Sequence, residues 1–200
     1  PTPHPLHDAL PISEHFELVA SAMPQADLDA GQALVKTLML GFDPAMRMWL
    51  MDEPSYLPPV AIGEPMRASG VGQVVQSENP ALPVGSLVQG LLNWQEYSVC
   101  DPASPMPPTP LPAGTPPSVA LSVFGTTTLT AYFGLLDVGQ PRSGDTVLVS
   151  GAAGATGSMV AQIARLKGCR VIGIAGGEQK CQWLRDACKI GEVIDYKSED

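Results

Sequence analysis

Residues 145–168 constrain this chain more than any other stretch. Asp145-Thr-Val-Leu-Val-Ser150 is a short apolar run with β-branched residues, the pattern of a buried strand. The turn Ser150-Gly-Ala-Ala-Gly-Ala-Thr-Gly157 comes directly after it. Ala155–Lys167 then has helical spacing, with Val160, Ile163, Ala164 and Lys167 on one predicted face and Gly168 as the stop. Small residues at a strand-to-helix turn let the backbone approach a pyrophosphate. The helix start supplies N–H groups without intrahelical partners and the positive end of the helix dipole. The spacing is G-x-x-G-x-x-G, a departure from G-x-G-x-x-G, and no Lys-Ser or Lys-Thr comes after the glycines, so a P-loop is excluded. A tight structural turn without a ligand is the alternative reading of these three glycines.

The surroundings favour a ligand. Arg170–Ala175 reads as a second strand, Glu178–Lys189 as a helix with Cys181, Leu184 and Cys188 on one face, and Val193–Tyr196 as a third strand. That is β-α-β-α-β, the first half of an α/β Rossmann fold, a doubly wound parallel sheet. A half sheet has an open edge, so further chain beyond Asp200 is expected. NAD-binding sheets usually carry Asp or Glu at the tip of the second strand to hold the ribose hydroxyls. Here the tip is Ile174-Ala-Gly-Gly177 and no carboxylate is expected at it, Glu178 coming later, where it helps start the helix. Lys180, on the first turn of that helix, is placed to meet a 2′-phosphate, unless it is only a solvated surface lysine. The residues therefore favour NADPH over NADH.

The first half of the chain has another rhythm. Residues 14–100 read as short strands punctuated by Gly and Pro. Among them are the apolar run Ala33–Leu40, Gly70–Val75 and Val84–Gly90. Asp43-Pro44 predicts a helix start, with the helix running through Met51. A β-rich domain is expected over 14–117, closed by the proline-dense stretch Pro102–Pro117, and a Rossmann half over 118–200. Ser118–Leu136, long and apolar, is expected as a helix buried between the two domains. Residues 1–13 lack a basic n-region and an apolar core, and their character does not continue into the residues after Ser13; they are read as a non-native leader.

Composition excludes several classes. With 11 Lys+Arg against 20 Asp+Glu, the net charge of -9 argues against nucleic acid as a partner. Pro102–Leu136 is uncharged, but its prolines and threonines do not suit a membrane-spanning helix. The 4 Cys match no metal or disulfide spacing and point to a reducing, cytoplasmic setting. All 3 His lie at His4, His7 and His15, which leaves the body of the chain without a Ser-His-Asp triad or a histidine-ligated zinc.

Taken together, Leu129-Thr-Ala-Tyr-Phe-Gly-Leu-Leu-Asp-Val-Gly139, Gly144–Gly154, Gly168–Gly177 and Lys180-Cys181 resemble the zinc-independent medium-chain dehydrogenase/reductases. The likeness is to the prostaglandin reductase, alkenal reductase and bacterial curcumin reductase group. Pro54-Ser-Tyr-Leu-Pro-Pro59, Met66-Arg67, Gly70-Val-Gly72 and Trp94-Gln-Glu-Tyr97 fit the N-terminal domain of that group, and the resemblance covers about Phe16 to the end. It implies a GroES-like barrel joined to a Rossmann domain, with the cofactor between them. It also implies NADPH-dependent reduction of the C=C bond of an α,β-unsaturated ketone or aldehyde, without metal.

By motif matching, Gly154, Ala155, Thr156 and Gly157 would face the pyrophosphate. Lys180 and Tyr196 would hold the 2′-phosphate, Thr130 would lie near the nicotinamide, and Gly176 is a further cofactor-binding position. Thr156 stands where the group usually has Val, and Thr126-Thr-Thr128 where many members have Met-Pro-Gly. Gly63-Glu-Pro65 and Gly41-Phe-Asp-Pro44 replace the ligand segments of zinc-dependent relatives.

Hydride delivery to the β-carbon puts negative charge on the substrate carbonyl oxygen, so the site needs a hydrogen-bond donor there. Tyr56, Tyr97 and the cofactor ribose itself are the candidates, Tyr56 being otherwise a half-buried tyrosine of the barrel; Tyr132 and Trp94 are expected in the core. The expected partners are a small enone or alkenal and, at most, a second copy of the chain. A quinone reductase of the same superfamily and an NADPH-binding protein without turnover are the rival readings.

Overall fold

A computed structural model describes residues 13–23, 27–51, 56–104 and 106–198. The expected leader, apart from Ser13, and Pro54-Ser55 of the Pro-Ser-Tyr segment lie outside the described residues. The chain divides into two compact units, Pro1–Leu121 and Ser122–Asp200.

The first unit is built on β1 (Ala33–Leu40), α1 (Ala45–Met48), β2 (Ser69–Ser77), β3 (Leu87–Leu91), β4 (Tyr97–Cys100) and β5 (Thr109–Pro110). Its strands form one antiparallel sheet in the order β4-β1-β2-β3-β5. The β1–β2 register shifts at Leu34/Val35 and again at Thr37/Met39, the irregularities by which a strand bends over its core. Ala33, Val35, Val74, Leu82, Val88, Leu92 and Cys100 form that core. A second cluster gathers Met46, Trp49, Met66 and Ala68, with Phe16 and Trp94 packed against it.

Two expectations are corrected here. The helix after Asp43-Pro44 is a single turn, Ala45–Met48, rather than one reaching Met51. Asp43 does cap it, its Oδ1 accepting from the Ala45 N–H at 2.8 Å. The strand expected from Val84 begins at Leu87 instead, because Gly85 takes φ +88 and commits residues 83–86 to a turn.

The second unit holds α3 (Thr126–Phe133), β6 (Thr146–Val149), α4 (Ala155–Leu166), β7 (Arg170–Ala175), α5 (Glu178–Asp186) and β8 (Glu192–Asp195). A six-residue helix, α2 (Pro117–Ser122), spans the boundary between the units. The three strands are parallel, in the order β6-β7-β8. Val149, Ala152, Ala161, Ala164, Val171, Cys181, Leu184 and Ile190 make one core. Fully burying Leu184 or Ile190 contributes about 1.5–3 kcal/mol each.

The single buried helix expected over Ser118–Leu136 is not what forms. Gly125 adopts an extended conformation (φ -79, ψ 167) and separates α2 from α3. The Thr128 hydroxyl donates to the Ser122 carbonyl at 2.7 Å, closing the end of α2. A π-helical turn, Gly134–Gly139, comes after α3. Phe124, Leu129, Tyr132 and Phe133 are all exposed, so Tyr132 is not a core residue.

The buried face of α4 also differs from expectation. It is Ser158, Ala161 and Ala164, while Lys167 is exposed. Small residues there let the helix lie close to the sheet. Helix α5 stops at Asp186, three residues short of the expected end, yet Cys181, Leu184 and Cys188 are buried as the spacing implied.

Candidate functional site

Parallel strands place their carboxyl ends on one edge, so the turns after β6, β7 and β8 share an edge of the second unit. Gly151 bends the first of them at φ +57, and its carbonyl accepts the Gly154 N–H at 2.8 Å. The Ala152 N–H donates to the Ile174 carbonyl at 3.0 Å, fastening this turn to the neighbouring strand. Gly154 is the N-cap of α4, in extended conformation and without a side-chain cap. The first intrahelical donor is the Ser158 N–H, bonded to the Gly154 carbonyl at 2.9 Å. The N–H groups of Ala155, Thr156 and Gly157 precede that first turn and have no intrahelical acceptor.

Gly157 explains the third glycine. A Cβ there would lie 2.4 Å from the Gly151 carbonyl oxygen and 3.0 Å from the Ala152 Cα, both backbone. Only glycine lets the helix start fold back onto its own turn. Gly154 and Ala155 are exposed and Thr156 partly so. These residues fit a dinucleotide pyrophosphate, which needs close backbone approach and donors lacking other partners.

The second turn, Gly176-Gly177, carries the expected 2′-phosphate residues. The ring of Tyr196 lies against Gly176, where a Cβ would come within 2.6 Å of its Cζ and hydroxyl. Tyr196 remains 62% exposed, and its N–H donates to the Ala175 carbonyl at 3.2 Å. The Lys180 N–H donates to the Gly177 carbonyl at 3.0 Å, and its side chain is exposed. Among the described residues no ion pair involves Lys180. Glu178 pairs instead with Arg185 on the same helix, at 3.3 Å.

One residue at this edge has no counterpart among the sequence-predicted site residues. Asp195, the last residue of β8, is 7% exposed. Its Oδ1 accepts from the Gly177 N–H at 2.8 Å and from the Lys197 N–H at 3.0 Å. These two donors, the Gly177 N–H foremost, hold its carboxyl below the usual carboxylate range. The tip of β7 therefore does meet a carboxylate, supplied by the next strand. The signal in the sequence was an Asp directly before Tyr196, but its pairing with Gly177 spans 18 residues and leaves no local pattern.

The remaining candidates belong to other elements. The Thr130 hydroxyl donates to the Thr126 carbonyl at 2.8 Å on the exposed side of α3. Tyr56, in the first unit, is 68% exposed, and its hydroxyl accepts from the Trp49 Nε1–H at 3.1 Å. The Arg67 guanidinium lies 5.5 Å from the centre of the Trp49 ring and donates to the Pro58 carbonyl at 2.9 Å. Trp94 packs on Phe16 and Phe42 and lies partly buried against the Met46 cluster, at the margin of the core expected to hold it.

Among the described residues no group of three or more His, Cys, Asp and Glu is placed to hold a metal ion. Nor is any helix among them long and apolar enough to cross a membrane. Burial pushes the Cys100 thiol up to about 11 and raises that of Cys188. Neither is a ready nucleophile.

Comparisons with known proteins bear on this edge and on the first unit. Residues 6–107 match the family described as the N-terminal domain of oxidoreductase. The NADPH-dependent curcumin reductase of Escherichia coli is 40% identical over 190 residues, 95% of this chain and 54% of the relative. Prostaglandin reductase 1 of Rattus norvegicus is 40% identical over 194 residues, 96% of this chain and 55% of the relative. The crystal structure of CurA in complex with NADPH from Vibrio vulnificus superposes with a TM-score of 0.83 at 44% identity. It covers 95% of this chain and 55% of that one. The chain thus spans about half the length of the curated relatives it matches.

Proposed function

This chain belongs to the oxidoreductase family defined by that N-terminal domain, and on that premise we propose that the protein carrying it reduces the C=C bond of α,β-unsaturated ketones and aldehydes with NADPH, without metal. The observation that carries the cofactor half of this reading is the helix start at Gly154–Gly157. It is a small-residue cradle whose tightness is fixed by the 2.4 Å approach at Gly157. Relatives named for NADPH-dependent curcumin reduction and for prostaglandin reduction support the substrate half. The antiparallel sheet of the first unit is read as part of a GroES-like barrel.

In this reading the N–H groups of Ala155, Thr156 and Gly157 hold the pyrophosphate, and Lys180 with Tyr196 holds the 2′-phosphate. Thr130 lies toward the nicotinamide. When bound, NADPH supplies a hydride to the β-carbon of the alkene. Charge then accumulates on the substrate carbonyl oxygen, which a donor must stabilise. Tyr56 suits that task, because its oxygen already accepts from the Trp49 indole and its own proton remains to be donated. A metal-free route matches the donor set: Gly63-Glu64-Pro65 and Gly41–Pro44 offer neither histidine nor cysteine. The four cysteines are buried and form no disulfide, which fits the cytoplasm.

Titrating the intact protein with NADPH and then adding an enone, an alkenal or a quinone tests this. NADPH should be oxidised with the enone and the alkenal. Oxidation by quinone alone would make the protein a quinone reductase, and tight binding without oxidation by any acceptor would make it an NADPH-binding protein.

A further inference from the structure

The carboxylate at the tip of β7 is a paradox for a site read as taking a phosphate dianion, and the inference drawn from it rests on that reading. A carboxylate free to face the cofactor would repel the phosphate and instead bind the ribose hydroxyls of NADH. The geometry of Asp195 removes the conflict. Its side chain is buried, and one oxygen is engaged by two backbone donors from two different turns. Those turns are the ones that carry the phosphate-binding candidates. Gly177 accepts from the Lys180 N–H at the start of α5, so holding Gly177 holds the helix turn on which Lys180 stands. Lys197 is the neighbour of Tyr196, whose ring lies against Gly176.

We infer that Asp195 is the positioning residue of the 2′-phosphate site: it ties the Gly176–Lys180 turn to the Tyr196–Lys197 turn through one oxygen, and so sets the spacing of Lys180 and Tyr196. It touches no substrate or cofactor itself. Its charge is met by the N–H groups it accepts from, as charge-assisted hydrogen bonds do elsewhere in proteins. Burial of the residue, with Oδ1 already accepting from two backbone donors, sets it against reading a ribose. The residue thus supports selection of NADPH without contacting the group that distinguishes NADPH from NADH.

The test compares dissociation constants of NADPH and NADH for the intact wild-type protein and for Asp195→Ala, Asp195→Asn and Asp195→Glu, with melting temperatures beside them. Asp195→Ala should weaken NADPH about tenfold, the loss expected when roughly 1.4 kcal/mol of positioning is removed, and NADH by no more than about twofold. Asp195→Asn should restore most of the NADPH affinity, since an amide oxygen can accept both N–H groups. Asp195→Glu keeps the charge but displaces both turns, and should also narrow the preference; it decides the matter if the alanine variant does not fold.

Equal losses for the two cofactors in Asp195→Ala, or no loss in either, overturn the inference while leaving the NADPH reading intact, provided that the wild type prefers NADPH. A selective loss of NADH in Asp195→Asn overturns it differently, by making Asp195 a ribose ligand. A wild type with no preference for NADPH removes both the reading and the inference.

Discussion

Two glycine turns at one sheet edge do the same kind of work by different means. The turn after β6 is organised by its own backbone. Gly151, Gly154 and Gly157 contact one another within seven residues, and a backbone bond from the Ala152 N–H to the Ile174 carbonyl fastens the turn to the next strand. The turn after β7 is organised from a distance, by a carboxylate at the end of β8 that accepts from the Gly177 N–H. In the proposed reading the first turn would hold what every dinucleotide shares, the pyrophosphate, and the second would meet the part that differs between NADPH and NADH. Locally fixed geometry suits the shared task, whereas a turn held by a single distant residue can be retuned by changing that residue.

Gly157→Ala should break the first turn with the largest effect. Helix propensity alone would favour alanine by about 1 kcal/mol. The added Cβ meets backbone at 2.4 Å, however, and must push the turn apart. We expect a loss of about 1–3 kcal/mol in stability, read from denaturant unfolding. Displacing the helix start should also cost about a hundredfold in turnover, with NADPH and NADH affected alike. A more stable variant would show that the close approach is not required. Lys180→Glu should act on the second turn alone. Losing one charge-assisted contact of about 1.5–3 kcal/mol weakens NADPH by about ten- to a hundredfold and leaves NADH nearly unchanged. Parallel losses for the two cofactors would mean that Lys180 does not touch the phosphate.

The same contrast explains what could be read from the sequence. The β-α-β-α-β order, the glycine turn and the placement of Lys180 depend on spacing within about 20 residues, and periodicity reports such spacing directly. Of the α4 face that apolar periodicity favours, Ala164 is buried and Val160 packs partly buried against the core, while close packing on the sheet also selects Ser158 and Ala161 and leaves Lys167 exposed. The break at Gly125 was hidden inside an apolar stretch. It takes the Thr128 hydroxyl, reaching back to the Ser122 carbonyl, to stabilise the gap. Asp195 was out of reach for a different reason. Its Lys197 partner is only two residues on, but its Gly177 partner lies in another turn 18 residues away, and an Asp before a tyrosine at a strand end has no pattern that announces that one.

Acid offers the finest separation of the two turns. Ser150–Gly157 contains no titratable side chain, so the first turn has nothing to lose at low pH. The second depends on an ionised Asp195, whose carboxyl is held below its ordinary value by the Gly177 and Lys197 N–H groups. A group with a depressed folded pKa contributes stability above its unfolded pKa, and loses that contribution as pH falls through the folded value. The melting temperature of the wild type minus that of Asp195→Asn isolates this contribution, because the other carboxylates are common to both proteins. The difference should be small and constant from neutral pH down to about pH 5, then shrink below about pH 4, the ordinary range of an aspartate. A difference that grows with acidification would mean that the buried carboxyl is more stable protonated, and that the two backbone donors do not hold it as an anion.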